Sequence, residues 1–286
     1  MIPALTTLLD RVGRTPSGTV AAGEEVLPGY RVVELIAHGR RLDTYDALDL
    51  DRDVRVVVKV LRQDRRDEER VVEAVRQEGR IVTALAHPHL VRGYAAFDDP
   101  PALVLEALSG ATLDAVLDDG PLTEGDTATM GLQLASALGY LHRHDWLHLD
   151  VKAANIVVQD SRAVLIDLSL AGPPGDGRPG SGTRGYLSPE QALGQGMSAA
   201  SDVWGLGVTM MECLTGELPF GDEATWESRR RIPLVERPMP RRPFPVTQRI
   251  SRELEALLVG CVALDPADRP TLAEVKSVLR ALAPPD

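Results

Sequence analysis

The chain is short of cationic charge, aromatic rings, cysteine and long apolar runs, and each shortage excludes something. Only 31 Lys and Arg stand against 42 Asp and Glu, a formal net charge of −11. That argues against a nucleic-acid binder, whose affinity rests on clustered Lys and Arg that neutralise backbone phosphates. Aromatic residues make up 4% of the chain, so Leu, Val and Ala must do most of the packing. The two cysteines, Cys213 and Cys261, each sit in an apolar helical pattern, which reads as buried, reduced thiols of a cytosolic protein and not as a disulfide or metal site. No run approaches the roughly 20 apolar residues that a membrane-spanning helix needs. The first ten residues lack a basic segment and are interrupted by Asp10 and Arg11, so no secretory signal is read there. The expectation is a soluble, cytoplasmic protein with no nucleic-acid or membrane partner.

What is present is a chain of 286 residues, 44% of them hydrophobic, enough to fill one large domain or two lobes. Residues 1–29 hold one short amphipathic helix candidate and the Gly/Ser/Thr/Pro stretch Gly13 to Thr19, read as a flexible arm whose Thr15, Ser17 and Thr19 are linker-polar. From Tyr30 the pattern becomes strand-like: Tyr30 to Ala37, Asp43 to Asp49 and Val54 to Leu61, separated by turn residues, form an antiparallel meander. Asp64 to Ala86 carries Val71, Val72, Val75, Ile81, Val82 and Leu85 at helical spacing. Two further β-like runs, Val91 to Asp98 and Ala102 to Leu108, complete a lobe of five strands and one helix over residues 30–108. Residues 109–283 are mostly helical, with helices at Leu113 to Asp118, Thr123 to His144, Pro189 to Leu193, Ser201 to Thr215, Ser251 to Leu264 and Leu272 to Leu282, and a hairpin-like pair at Ile156 to Gln159 and Ala163 to Ile166. Residues 284–286 are a tail. Prolines 238, 240, 243 and 245 make the stretch from Arg237 to Pro245 a connecting loop.

The stretch that concentrates chemistry is His148-Leu149-Asp150-Val151-Lys152-Ala153-Ala154-Asn155, followed by Ile166-Asp167-Leu168-Ser169. The carboxamide of Asn155 and the carboxylate of Asp167 are hard oxygen ligands of the kind Mg²⁺ takes beside substrate phosphates. Asp150 and Lys152 remain for the group being phosphorylated and the phosphate being moved. His142, His144 and His148 also cluster here, but without the i, i+4 pair and adjacent acid of a zinc protease, so a structural role is expected of them.

These residues, in this order, resemble the protein-kinase signature, and the chain from about Tyr30 to Leu282 is similar to the eukaryotic-like (Hanks-type) Ser/Thr protein kinases of bacteria. The resemblance implies an α+β, bilobal kinase fold: a small antiparallel five-stranded N-lobe with one helix, a mainly helical C-lobe, and a phosphate site at their junction. Val56-Val57-Val58-Lys59 looks like the third-strand V-A-I-K, which makes Lys59 the phosphate-holding lysine and Glu78 its helix partner. His148 to Asn155 is similar to H-R-D-x-K-x-x-N. By that likeness Asp150 orients the substrate hydroxyl and accepts its proton, Lys152 neutralises the γ-phosphate, and Asn155 and Asp167 bind Mg²⁺, with Mn²⁺ as the alternative ion. Ile36, Thr44, Val57 and Val157 would form the apolar walls around adenine, and the backbone of Glu106 and Leu108 the hinge. Gly182 to Glu190 resembles the close of an activation segment, with Thr183 near the catalytic aspartate, Glu190 paired to Arg269, and Asp202 anchoring the catalytic loop.

Three departures refine the likeness. Ile36 to Tyr45 keeps only the middle glycine, Gly39, of G-x-G-x-x-G, with Arg40 and Arg41 beside it as alternative phosphate contacts. Leu149 stands where many relatives carry the arginine that grips a phosphorylated segment, and the segment from Asp167 to Pro189 has few hydroxyls beyond Ser181 and Thr183. Leu168 and Ser169 replace the Phe and Gly that follow the metal aspartate. The implied function is an ATP-dependent Ser/Thr protein kinase, acting on protein substrates and independent of activation-loop phosphorylation. The alternative is a pseudokinase acting as a binding module. Substrate identity and oligomeric state leave no trace in the sequence.

Overall fold

The computed structural model describes residues 18–220 and 249–284. The candidate N-terminal helix, Thr15, Ser17 and the Arg237 to Pro245 stretch lie outside them. The chain divides into two compact units, Met1–Ala111 and Thr112–Asp286.

In the first unit, alternating Val-rich runs pair through their backbones into one antiparallel sheet of six strands: β1 (Glu25–Leu27), β2 (Tyr30–His38), β3 (Leu42–Asp49), β4 (Val54–Leu61), β5 (Gly93–Asp98) and β6 (Pro101–Glu106). Their order is β1-β2-β3-β4-β6-β5. The expectation of five strands is corrected by β1, which lies in the segment read as flexible arm. Three residues are too few to carry a period. What holds β1 is local: Gly23 N–H donates to Val32 O, Val32 N–H donates to Glu24 O, and Leu27 is buried. Because side chains alternate along a strand, one face of β3 and β4 presents Tyr45, Ala47, Val56, Val58 and Val60 to a small core. The other face presents the cross-strand pair Thr44 and Lys59, with Val57 two residues from Lys59.

Helix α1 (Glu69–Ala84) begins five residues later than its charged run, which opens instead as a 3₁₀ turn at Gln63–Arg65. It packs on β5 and β6 and buries Val71, Val75, Ile81 and Val82, with Glu78 among them.

A two-residue strand β7 (Ala111–Thr112) leads into α2 (Leu113–Leu117) and α3 (Glu124–His142). Thr123 caps α3 by accepting from Asp126 N–H. The hairpin β8 (Ile156–Gln159) and β9 (Arg162–Leu165) pairs in register Ile156 to Leu165. Then come α4 (Pro189–Leu193), α5 (Ala199–Thr215), α6 (Arg252–Cys261) and α7 (Leu272–Leu282). Capping boxes start α4 at Ser188, α5 at Ser198 and α7 at Thr271, each satisfying backbone N–H groups that a helix start leaves open. Helix α5 is buried nearly all round, as a helix apolar on every side must be, and α3 and α6 pack against it. Among the described residues no helix is long and apolar enough to cross a membrane.

The α5–α6 contact rests on Gly207, where an added Cβ would lie 2.6 Å from the Cβ of Cys261. Overpacking of this kind costs about 1–3 kcal/mol. Gly207→Ala is therefore expected to lower the unfolding free energy by that amount, read as a lower urea midpoint at an unchanged denaturant slope.

Candidate active site

The second unit builds its site on a buried carboxylate. Asp202, in the first turn of α5, is 1% exposed. It accepts the backbone N–H groups of His148 and Leu149, each at 2.8 Å, and meets His142 Nε2 at 2.8 Å. Burial opposes its ionisation, but the hydrogen bonds from His142 and from the His148 backbone N–H outweigh it, so its pKa lies below the ordinary aspartate value. With its two N–H groups anchored, the loop holds Leu149 at φ 63°, a conformation uncommon for a bulky residue. His148 is fully buried and its Nδ1 accepts from Asp150 N–H. Burial lowers its pKa, so the imidazole is neutral.

Asp150 is thereby aimed. Its Oδ1 accepts from Thr183 Oγ1 at 2.7 Å, and its Oδ2 accepts from Asn155 Nδ2 at 2.9 Å. Lys152 Nζ lies 2.9 Å from Oδ2 and donates to Thr183 Oγ1 at 2.6 Å. Asn155 also donates to Asp150 O at 2.9 Å. Both amide hydrogens are so used, and Oδ1 remains as the acceptor of that group. Asn155 O accepts from Ile166 N–H at 2.8 Å, which ties the start of β8 to the residue before Asp167, itself at φ 65°. Asn155 Oδ1 and the Asp167 carboxylate are hard oxygen donors, of the kind taken by an ion that completes its shell with phosphates and water, as Mg²⁺ does. Val157, on β8, is buried in the same unit.

Within the first unit, Lys59 Nζ reaches Glu78 Oε1 at 3.1 Å, with Glu78 2% exposed. Thr44 and Val57 share the Lys59 face, and Ile36 sits at the irregularity where β2 shifts register between Leu35 and Ala37. Glu106 ends β6. Its N–H donates to Arg92 O and its carboxylate accepts from Arg92 N–H, which turns that side chain back onto β5. Leu108 follows, half-buried.

The supporting ion pair is bidentate. Arg269 donates to Glu190 Oε1 at 2.7 Å and Oε2 at 3.0 Å, and also to the carbonyls of Ala200 and Ala263. Its guanidinium stacks 5.0 Å from the Trp204 ring. Burial raises the Glu190 pKa, and the hydrogen bonds from Arg269 and Ser201 more than reverse this, leaving it below the ordinary 4.5.

Sequence reasoning missed Gln191, whose Nε2 donates to Leu149 O at 2.8 Å and to Ser181 O at 3.3 Å. The spacing Ser188-x-x-Gln191 was the available signal, since it is a capping box. It also missed the pair Tyr186 and Glu212, 2.5 Å apart, in which burial raises the pKa of both. The three histidines go to separate partners, His142 to Asp202, His144 to Tyr140 O and His148 to Asp150 N–H.

A helix-anchored loop that presents Asp150, Lys152 and Asn155, a lysine held by a helix glutamate, and a closing ion pair define a protein kinase. The family model for the protein kinase domain matches residues 30–279, and the chain belongs to that family. It is 32% identical over 288 residues to the serine/threonine-protein kinase pkn3 of Myxococcus xanthus, covering 94% of this chain and 52% of that protein. It is 34% identical over 267 residues to the serine/threonine-protein kinase PknB of Mycolicibacterium smegmatis, covering 87% and 42%. Similarity at 26% over 258 residues, covering 88% and 51%, extends to the SNF1-related protein kinase catalytic subunit alpha KIN12 of Arabidopsis thaliana. The chain thus spans about half the length of the curated relatives it matches.

Removing one partner of a buried pair leaves an uncompensated charge, at a cost of about 3–5 kcal/mol. Arg269→Ala is expected to lose that much in urea unfolding near neutral pH. Because the folded Glu190 pKa is depressed, its contribution is present above 4.5 and lost as pH falls through the folded value. The stability gap between the wild type and Glu190→Gln should therefore narrow from about pH 7 to about pH 3.5.

Proposed function

We propose that this chain is an ATP- and Mg²⁺-dependent protein kinase that phosphorylates Ser and Thr hydroxyls of protein substrates, and that it does so without a phosphorylated activation segment. The carrying observation is Asp150: both its carboxylate oxygens are fixed by Thr183, Asn155 and Lys152, a geometry suited to orienting a hydroxyl. In the reaction, Asp150 accepts the hydroxyl proton as that oxygen forms a bond to the γ-phosphorus of ATP. The bond to the β,γ-bridging oxygen breaks and ADP leaves. Lys152 offsets charge on the transferred phosphoryl group, and Lys59, held by Glu78, grips the remaining phosphates. Asn155 and Asp167 would hold the metal ion, which would supply charge neutralisation on the phosphate oxygens. The reading places the domain in the cytoplasm, where ATP is available.

Independence from phosphorylation is supported by how the segment is tied down. Leu149, in place of a phosphate-gripping arginine, is buried against Leu147 and Met197. Gly175 and Met197 exchange two backbone hydrogen bonds at 2.9 Å, Gly177 N–H donates to Gly194 O, and Gly180 N–H donates to Gln191 O. Asp176 Oδ1 accepts from Gly196 N–H at 2.8 Å. Gln191 bridges Leu149 O and Ser181 O. None of these contacts uses a side-chain hydroxyl as donor or acceptor.

The second reading, a binding module without turnover, draws on Ala37 and Leu42 at positions where the family has glycines. Transfer of labelled phosphate from ATP to a generic protein substrate separates the two. Asp150→Asn should lower kcat by about 10²–10⁴-fold, and Lys59→Met should abolish saturable ATP dependence. Absence of any transfer that these variants alter would leave the binding module. Phosphatase treatment and Ser181→Ala are each expected to leave the rate unchanged, and a collapse in either would end the claim of independence.

A further inference from the structure

The turn between β2 and β3 is closed from within. Gly39 N–H donates to Leu42 O at 2.9 Å, so the one glycine left in this loop does not offer its N–H to a phosphate. Its carbonyl accepts from Arg62 Nη1 at 2.9 Å, and Arg62 N–H donates to Arg41 O at 3.0 Å. Arg62 is itself fixed by Asp64, through Nε at 2.9 Å and Nη2 at 2.8 Å. At the neck of the turn, His38 Nδ1 meets the buried carboxylate of Asp43 at 2.6 Å. A Cβ at Gly39 would lie 2.8 Å from Leu42 O, so the turn is as tight as backbone permits. Three side-chain contacts thus brace the turn, and the Gly39 N–H and the Gly39, Arg41 and Leu42 carbonyls are used within it.

The tip of this turn is Arg40-Arg41. Both are exposed, and neither side chain has an ion-pair or hydrogen-bond partner among the described residues. The β3–β4 register sets Leu42 against Leu61 and Thr44 against Lys59. The base of the tip is therefore two residues, about 7 Å, along the strands from the lysine row. Guanidinium is the side chain best matched to phosphate, because its planar fork gives paired, charge-assisted hydrogen bonds.

We infer that nucleotide phosphates are read in this chain by the Arg40 and Arg41 guanidiniums at the tip of a side-chain-locked turn, with Arg62 as the residue that positions them, in place of a cradle of glycine N–H groups. This rests on the kinase reading above and adds to it which groups bind the phosphates. Recognition then becomes more dependent on charge than on close backbone approach, so ATP and ADP gain far more from these residues than adenosine does.

The test is the ratio of adenosine to ATP dissociation constants, each measured on the full chain by tryptophan fluorescence or thermal shift with Mg²⁺ present. Arg40→Ala combined with Arg41→Ala is expected to weaken ATP and ADP about tenfold or more, the scale of one or two charged hydrogen bonds, with adenosine unchanged. The KM for ATP should rise by more than kcat falls. Arg62→Ala should shift the same ratio, and Arg62→Lys, which keeps one donor for Gly39 O, should recover part of it. A merely structural Arg62 would lower the melting temperature and leave the ratio alone. An unchanged ratio in the double variant, in a protein that still transfers phosphate, overturns the inference and leaves the kinase reading standing. A wild type that binds adenosine and ATP equally and transfers no phosphate overturns both.

Discussion

The contact between Asp202 and the backbone of His148 and Leu149 sets the geometry of the second unit. A carboxylate that is 1% exposed needs hydrogen-bond donors, because an unpaired buried charge is too costly to keep. The donors it takes are two consecutive N–H groups and an imidazole. That demand bends the loop through a left-handed Leu149, a conformation that persists only where its surroundings over-determine it. From there the chain is committed. The Leu149 carbonyl meets Gln191, the Leu149 side chain meets Met197, and Asp150 emerges with both oxygens facing Thr183, Lys152 and Asn155. A stabilising contact in α5 thus fixes the direction of a carboxylate it never touches.

The same economy governs the other acids. The chain carries a formal net charge of −11, yet Glu78 and Glu190, buried by the fold, each meet a specific cation. Asp202 meets imidazole and backbone donors instead. Glu212 is the exception. Its partner is the neutral Tyr186 hydroxyl, and burial moves its pKa upward, in the direction opposite to Glu190 and Asp202. The contrast is physical: a carboxylate given cations or several N–H donors stays ionised on burial, and one given a single hydroxyl is pushed toward its neutral form.

Residues whose chemistry is rare at a given spacing were legible in the sequence. Asp150, Lys152 and Asn155 stand in one loop with Asp202, Glu190 and Arg269 around it, and the structure has Thr183 in contact with Asp150, Glu190 with Arg269, Asp202 with the loop and Lys59 with Glu78. Long periodic elements were legible too: α5 and α7 keep their expected C-terminal ends at Thr215 and Leu282. What was not legible lacked either length or distinctive chemistry. Strand β1 has three residues, and no period can be read from three. The start of α1 was blurred because a charged run suits a 3₁₀ turn as well as a helix. The contacts of Gln191 and Arg62 are side chain to backbone. Their partners are carbonyls, which every residue has, so nothing in the sequence marks which carbonyl is chosen.

The ladder that ties residues 175–180 to 191–197 is made of main-chain hydrogen bonds and one bond from Gly196 N–H to the Asp176 carboxylate. Every group in it belongs to the main chain except that one carboxylate, and none of its donors or acceptors is a side-chain hydroxyl. The groups that make this clamp are all supplied by the polypeptide itself, so its register is written in the positions of Gly175, Gly177, Gly180, Gln191, Gly194, Gly196 and Met197 along the chain.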